Sequence, residues 1–130
     1  MAARRLFLLD SIAYISPEHE DQVIVSGSHG GASAASFVVK VSKRPLAVFY
    51  NDAGGGKDDA GIVALGMLES LGVICATYSH LSARIGEARD GFECGVITHL
   101  NPRAATAGLA LGMPVRDAVR LLGADTPDPG

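Results

Sequence analysis

The chain has no tryptophan, and aromatic residues make up only 5% of it. Few rings are on hand to stack on a flavin, although flavodoxin-like sheets hold that cofactor at the same edge considered below. No G-x-G-x-x-G follows an apolar run: Gly27, Gly30 and Gly31 stand at the wrong offsets, so nothing points to NAD. Cysteine is scarce. Cys75 and Cys94 have no metal-type spacing and fall in or beside apolar runs, which predicts buried, inert thiols. No apolar run approaches the roughly 20 residues of a membrane span. Arg4 and Arg5 form a basic flank, but the stretch from Leu6 to Leu9 is too short for a signal peptide, and Asp10 interrupts it. A cytoplasmic protein is expected. Charged residues reach only 19%, and the net charge is −3. Phosphate backbones need clustered Lys and Arg, so neither nucleic acid nor membrane is an expected partner. The densest basic patch, Lys40, Lys43 and Arg44, reads as the end of a helix.

What the chain does have is repetition. Four short apolar runs each end in a polar loop, most of them bearing glycine. Val23 to Val25 leads into Ser26-Gly27-Ser28-His29-Gly30-Gly31, and Leu46 to Tyr50 into Asn51-Asp52-Ala53-Gly54-Gly55-Gly56-Lys57. Val73 to Tyr78 leads into Ser79-His80, and Val96 to Thr98 into His99-Leu100-Asn101-Pro102. Between the runs lie helical stretches. Strands are expected at 6–9, 22–26, 46–50, 73–78 and 95–99. Helices are expected at 31–43, 59–71, 83–89, 102–112 and from Pro114 to Gly123. Residues 10–22 are too irregular for a helix.

This alternation predicts a single α/β domain over 1–123 with a flexible tail, 124–130. The architecture is a three-layer sandwich around a mainly parallel sheet of about five strands, with flavodoxin- or Rossmann-like topology. If the runs are parallel, all four loops gather at one sheet edge, where such folds bind ligands. Two predicted helices are apolar nearly all round, Ala60 to Leu68 and Ala104 to Gly112, which predicts burial against a second copy in a homo-oligomer.

The loops supply the chemistry. Ser28 lies between a strand and an alanine-rich helix with small neighbours, the setting of a nucleophile elbow, although Ser26 stands where the first glycine belongs. The other reading is an anion-binding turn in which Ser26, Ser28 and the Gly30 N–H are donors. Gly55, Gly56 and Lys57 suit an anion cradle, but the segment lacks the Walker A pattern. Asp58 or Asp59 reads as a helix cap. Asp52 directly follows a strand run and either works on a ligand or forms an Asx turn. Arg84 either reaches into the cleft or pairs with Glu87 or Asp90. Asn101 before Pro102 reads as an N-cap and also stands in the last loop as a substrate contact.

His29, His80 and His99 each fall at a strand end. Two chemistries suit them. In one, Ser28 attacks a carbonyl, His80 or His99 takes its proton, and Asp52 orients the imidazole, in the Ser-Asp-His order of α/β-hydrolases. In the other, His29, His80 and His99 hold a divalent metal. A third reading is a non-catalytic module that binds a small anion. The preferred expectation is a cofactor-free hydrolase acting on an amide or ester of a small anionic metabolite.

Overall fold

The computed structural model describes residues 4–55, 62–124 and 127. Five strands form one sheet in the order β1-β2-β3-β4-β5. They are β1 (Leu6–Leu9), β2 (Val23–His29), β3 (Ala47–Asn51), β4 (Ile74–Tyr78) and β5 (Ile97–Leu100). The helices are α1 (Ala32–Lys40), α2 (Ala64–Ser70), α3 (Ala88–Cys94), α4 (Pro102–Thr106) and α5 (Val115–Leu121). The first four strands are parallel neighbours; β5 pairs antiparallel with β4. The α/β class and mainly parallel sheet match the sequence. The strand order differs from the flavodoxin order 2-1-3-4-5.

Alternation along the strands divides the core in two. Phe7, Ile24, Val48, Tyr50 and Cys75 face α1 and α2, which contribute Ala35, Val38, Ala64 and Leu68. Val25, Phe49, Ala76 and Tyr78 face the other way, against Phe92 of α3 and Val115, Ala118 and Val119 of α5. The apolar runs are buried on both faces, which is why they read as continuous rather than alternating. The order β1 to β4 runs in one direction, so right-handed crossovers must lie on one face. They do: Ile12, in the β1–β2 connection, packs with α1 and α2. That connection is built from two 3-10 turns, Ile12–Tyr14 and Pro17–His19.

Several boundaries move. The 83–89 helix is replaced by α3, which starts five residues later. Residues 79–87 instead cross the sheet edge as a strap. The buried Asn51 side chain donates to Ala83 O at 3.1 Å, Gly86 N–H donates to Gly27 O at 2.6 Å, and Ala88 N–H donates to Asp10 Oδ1 at 2.9 Å. Gly27 makes this closure possible: a Cβ there would lie 2.6 Å from Asp10 O and from Gly86 C. The expected helix to Gly112 stops at Thr106. Gly108 takes a φ of 101°, and the Gly108 and Leu109 N–H groups close back on Ala105 O and Ala104 O in a Schellman-type end. One of the two apolar helices behind the oligomer expectation is therefore five residues long. Residues 60 and 61 of the other lie outside the described residues. In the tail, Ala124 is buried and Pro127 bridges Leu6; 125, 126 and 128–130 are not described. Cys75 is buried as expected, but Cys94 is exposed, because it ends a surface helix rather than leading into the sheet. A hydrogen bond to Asp90 raises its pKa.

Candidate functional site

The chain leaves β3 toward α2 on one face, and leaves β4 toward α3 on the other. Between these two strand ends the connections diverge, and that is the position at which open α/β sheets take ligands. Asp52 immediately follows β3, and His80 stands two residues past β4.

The two side chains meet. Asp52 Oδ1 accepts from His80 Nδ1 at 3.2 Å, from the His80 backbone N–H at 3.1 Å and from Gly54 N–H at 2.8 Å. Its second oxygen, Oδ2, accepts from Thr98 Oγ1 at 2.8 Å. Burial pushes the Asp52 carboxyl up, but the bonds from Gly54, Thr98 and His80 outweigh it, and the net pKa falls below the usual carboxylate value. Asp52 is thus ionised at neutral pH. An ionised carboxylate cannot donate, so the His80 proton in this bond sits on Nδ1 and the neutral ring leaves Nε2 bare. Asp52 is nearly enclosed, with its side chain 7% accessible, while that of His80 is 45% accessible. A buried anion holding a half-exposed imidazole in one tautomer is the arrangement a general base requires.

The turn Ala53–Gly55 walls this pair. Ala53 has a φ of 51°, and Gly54 and Gly55 follow at 73° and 84°. An alanine in the left-handed region costs about 1 kcal/mol or more. Gly54 lies against the imidazole: a Cβ there would stand 3.2 Å from His80 Cε1. The turn therefore lets the backbone reach back to Asp52 while the ring packs over it.

Thr98 brings in further groups. Thr77 Oγ1 lies 3.0 Å from Thr98 Oγ1 and 3.0 Å from His99 Nδ1, and His99 Nδ1 lies 3.1 Å from Thr98 Oγ1. Antiparallel pairing sets Thr77 opposite His99, and a register shift beside it brings Thr98 to the same hydroxyl. Asp52, His80 and His99, each expected at the site, are therefore joined in one hydrogen-bonded network. Sequence reasoning missed Thr77 and Thr98. Threonine is ordinary in strands, and only the β4–β5 register reveals them.

The other candidates lie apart from this network. Ser28 is inside β2, not on a strained elbow. Among the described residues only Asp21 and Ala53 are non-glycines with positive φ. Ser28 Oγ accepts from Ile12 N–H at 3.0 Å. Ser28 and His29 line a cavity of about 280 Å³ with Asp10, Ser33 and Phe37. Ser26 is buried and accepts from Ser28 N–H, which shapes the end of β2. Gly30 N–H donates to Asn51 O and its carbonyl accepts from Ala64 N–H, so that peptide stitches β3 to α2. Gly55 N–H closes on Asp52 O. Gly56, Lys57, Asp58 and Asp59 lie outside the described residues. Arg84 is exposed and pairs with Glu87 at 3.8 Å, the surface alternative.

Asn101 is at the far rim. Because β5 runs antiparallel, its C-terminal loop leaves the sheet opposite the Asp52 edge, so the fourth loop does not join the others. There Asn101 Oδ1 accepts from Ala104 N–H, capping α4, and from Cys75 N–H. Among the described residues, no three His, Cys, Asp or Glu side chains stand together as a metal-binding group, so His29, His80 and His99 do not form the alternative metal site. The fourth histidine, His19, is a core residue. It meets Phe7 edge-to-face, with ring centroids 4.5 Å apart, and accepts from Ser16 N–H, and burial lowers its pKa.

No helix of the described residues is long and apolar enough to cross a membrane. Comparison of the chain with protein-family models, curated proteins and solved structures finds no match.

Proposed function

We propose that the chain is a small α/β hydrolase that cleaves an amide or ester bond of a small metabolite, with His80 as general base. What supports this reading above all is the Asp52–His80 pair at the adjacent ends of β3 and β4, its carboxylate braced from the other side by Thr98. In this mechanism the Nε2 atom of His80 takes a proton from water as the water oxygen attacks the carbonyl carbon. The same proton then passes to the departing amine or alcohol as the acyl bond breaks. Asp52 keeps its charge throughout, fixing the tautomer and stabilising the imidazolium. Water replaces Ser28 as the nucleophile here, because Ser28 is bonded to Ile12 and belongs to a neighbouring cavity. Arg84 pairs with Glu87 and is given no part in holding the metabolite.

The test uses p-nitrophenyl acetate and an acetyl p-nitroanilide as probes. Wild-type protein is expected to hydrolyse at least one above the spontaneous rate. His80→Gln and Asp52→Asn should each lower kcat/KM about 100-fold or more while circular dichroism stays unchanged. A wild-type protein inert toward both probes, or a fully active His80→Gln variant, rejects the reading.

A further inference from the structure

We infer that Thr98, Thr77 and His99 form a one-way hydrogen-bond chain ending on Asp52, which holds His99 with its proton on Nδ1. This rests on the site reading above and extends it to a second imidazole.

A threonine hydroxyl has one hydrogen to give. Thr98 gives its hydrogen to Asp52 Oδ2 at 2.8 Å, because the ionised carboxylate has none to give in return; the carbonyl Thr77 O is farther, at 3.5 Å. Thr98 Oγ1 then has none left for its neighbours at 3.0 Å and 3.1 Å, Thr77 Oγ1 and His99 Nδ1. Suppose Thr77 gave its single hydrogen to His99. Both contacts to Thr98 would then set lone pair against lone pair at hydrogen-bond distance. Water offers no escape, because Thr77 is fully buried. The remaining arrangement has Thr77 donating to Thr98. The 3.0 Å contact between His99 Nδ1 and Thr77 Oγ1 then needs its hydrogen from the ring. His99 therefore bears a proton on Nδ1, and its neutral form leaves Nε2 bare.

The consequence is symmetry of role. One carboxylate orients two imidazoles, His80 through Oδ1 directly and His99 through Oδ2 and two hydroxyls. Thr77 and Thr98 are positioning residues, and His99 offers the site a second proton acceptor.

Asp52→Asn makes the chain falsifiable, because it reverses the polarity. The amide oxygen must face the Gly54 and His80 N–H donors, so its NH₂ group faces Thr98. Thr98 then becomes an acceptor there and its hydrogen turns outward to Thr77, whose own hydrogen turns to His99 Nδ1. Long-range ¹H–¹⁵N spectra of the labelled full chain read each tautomer, with His80→Gln and His99→Gln assigning the signals. Wild-type His99 is expected as Nδ1–H, switching to Nε2–H in Asp52→Asn. A wild-type His99 protonated only on Nε2 overturns the inference, and so does a folded Asp52→Asn protein whose His99 does not switch. If Asp52→Asn does not fold, the wild-type His99 signal decides alone. The two readings separate in the same spectrum: an Nε2–H tautomer at His80 beside Nδ1–H at His99 faults the proposed base and leaves the chain standing.

Discussion

Replacing Tyr50 with phenylalanine should make the protein more stable. Tyr50 lies in β3 and points between α1 and α2, and its hydroxyl is buried with no hydrogen-bond partner among the described residues. A buried polar group without a partner costs about 1–3 kcal/mol of desolvation. Removing the oxygen leaves a gap of only one atom, worth about 0.3 kcal/mol of lost packing. The net gain is about 1–2.5 kcal/mol, and for a domain of this size each kcal/mol moves Tm by roughly 3–5 °C. Thermal melts and urea titration at pH 7 should both show it. A second readout comes from alkali. Burial first, then the neighbouring Cys75, holds the phenol protonated well above its usual range. A group whose folded pKa is raised has its full stabilising effect below the unfolded value and loses it as pH climbs past that value. Above about pH 10 the wild type should therefore lose up to roughly 1.4 kcal/mol per pH unit at this residue, a loss the variant escapes. A Tyr50→Phe protein with an unchanged or lower Tm would refute the reasoning and mean that the hydroxyl has a partner in solution.

Two further substitutions test the scaffold. Gly27→Ala drives a methyl into the backbone of Asp10 and Gly86, so it should destabilise by about 2 kcal/mol or more in urea titration and raise amide exchange across 83–88. Asn101→Ala removes the α4 cap and the bond to Cys75 N–H, costing about 2–4 kcal/mol, while the His80 tautomer stays as in wild type because the lesion is at the opposite rim.

Much of this fold is legible in the chain because buried parallel strands announce themselves. Val23-Ile24-Val25, Ala47 to Tyr50 and Ile74 to Tyr78 are mostly apolar and buried on both faces, and a small or polar residue follows each. The direction of β5 is not legible. A four-residue strand has the same composition either way, and only its pairing with β4 turns Asn101 to the far rim and Thr98 toward Asp52. Helix ends suffer similarly. Gly108 stops α4 through a left-handed turn, yet the alanines and leucines on either side of it favour a helix from 104 to 111. The 79–87 strap reads as a helix start because its partners, Asp10, Gly27 and Asn51, are distant in sequence. At the site, Asp52 and His80 are visible as polar residues following strands. The serine reading rests on local pattern alone, and a pattern of small residues around Ser28 serves an ordinary strand end passing beneath the strap just as well.

The antiparallel entry of β5 also bears on how this chain can be altered. The peptide arrives at the sheet beside Asp52 and departs at the opposite pole, where the exposed Thr106–Ala107–Gly108 corner projects into solvent. An affinity tag or appended domain grafted at that corner would sit at the rim away from Asp52 and His80, leaving their surroundings open to whatever approaches from the front.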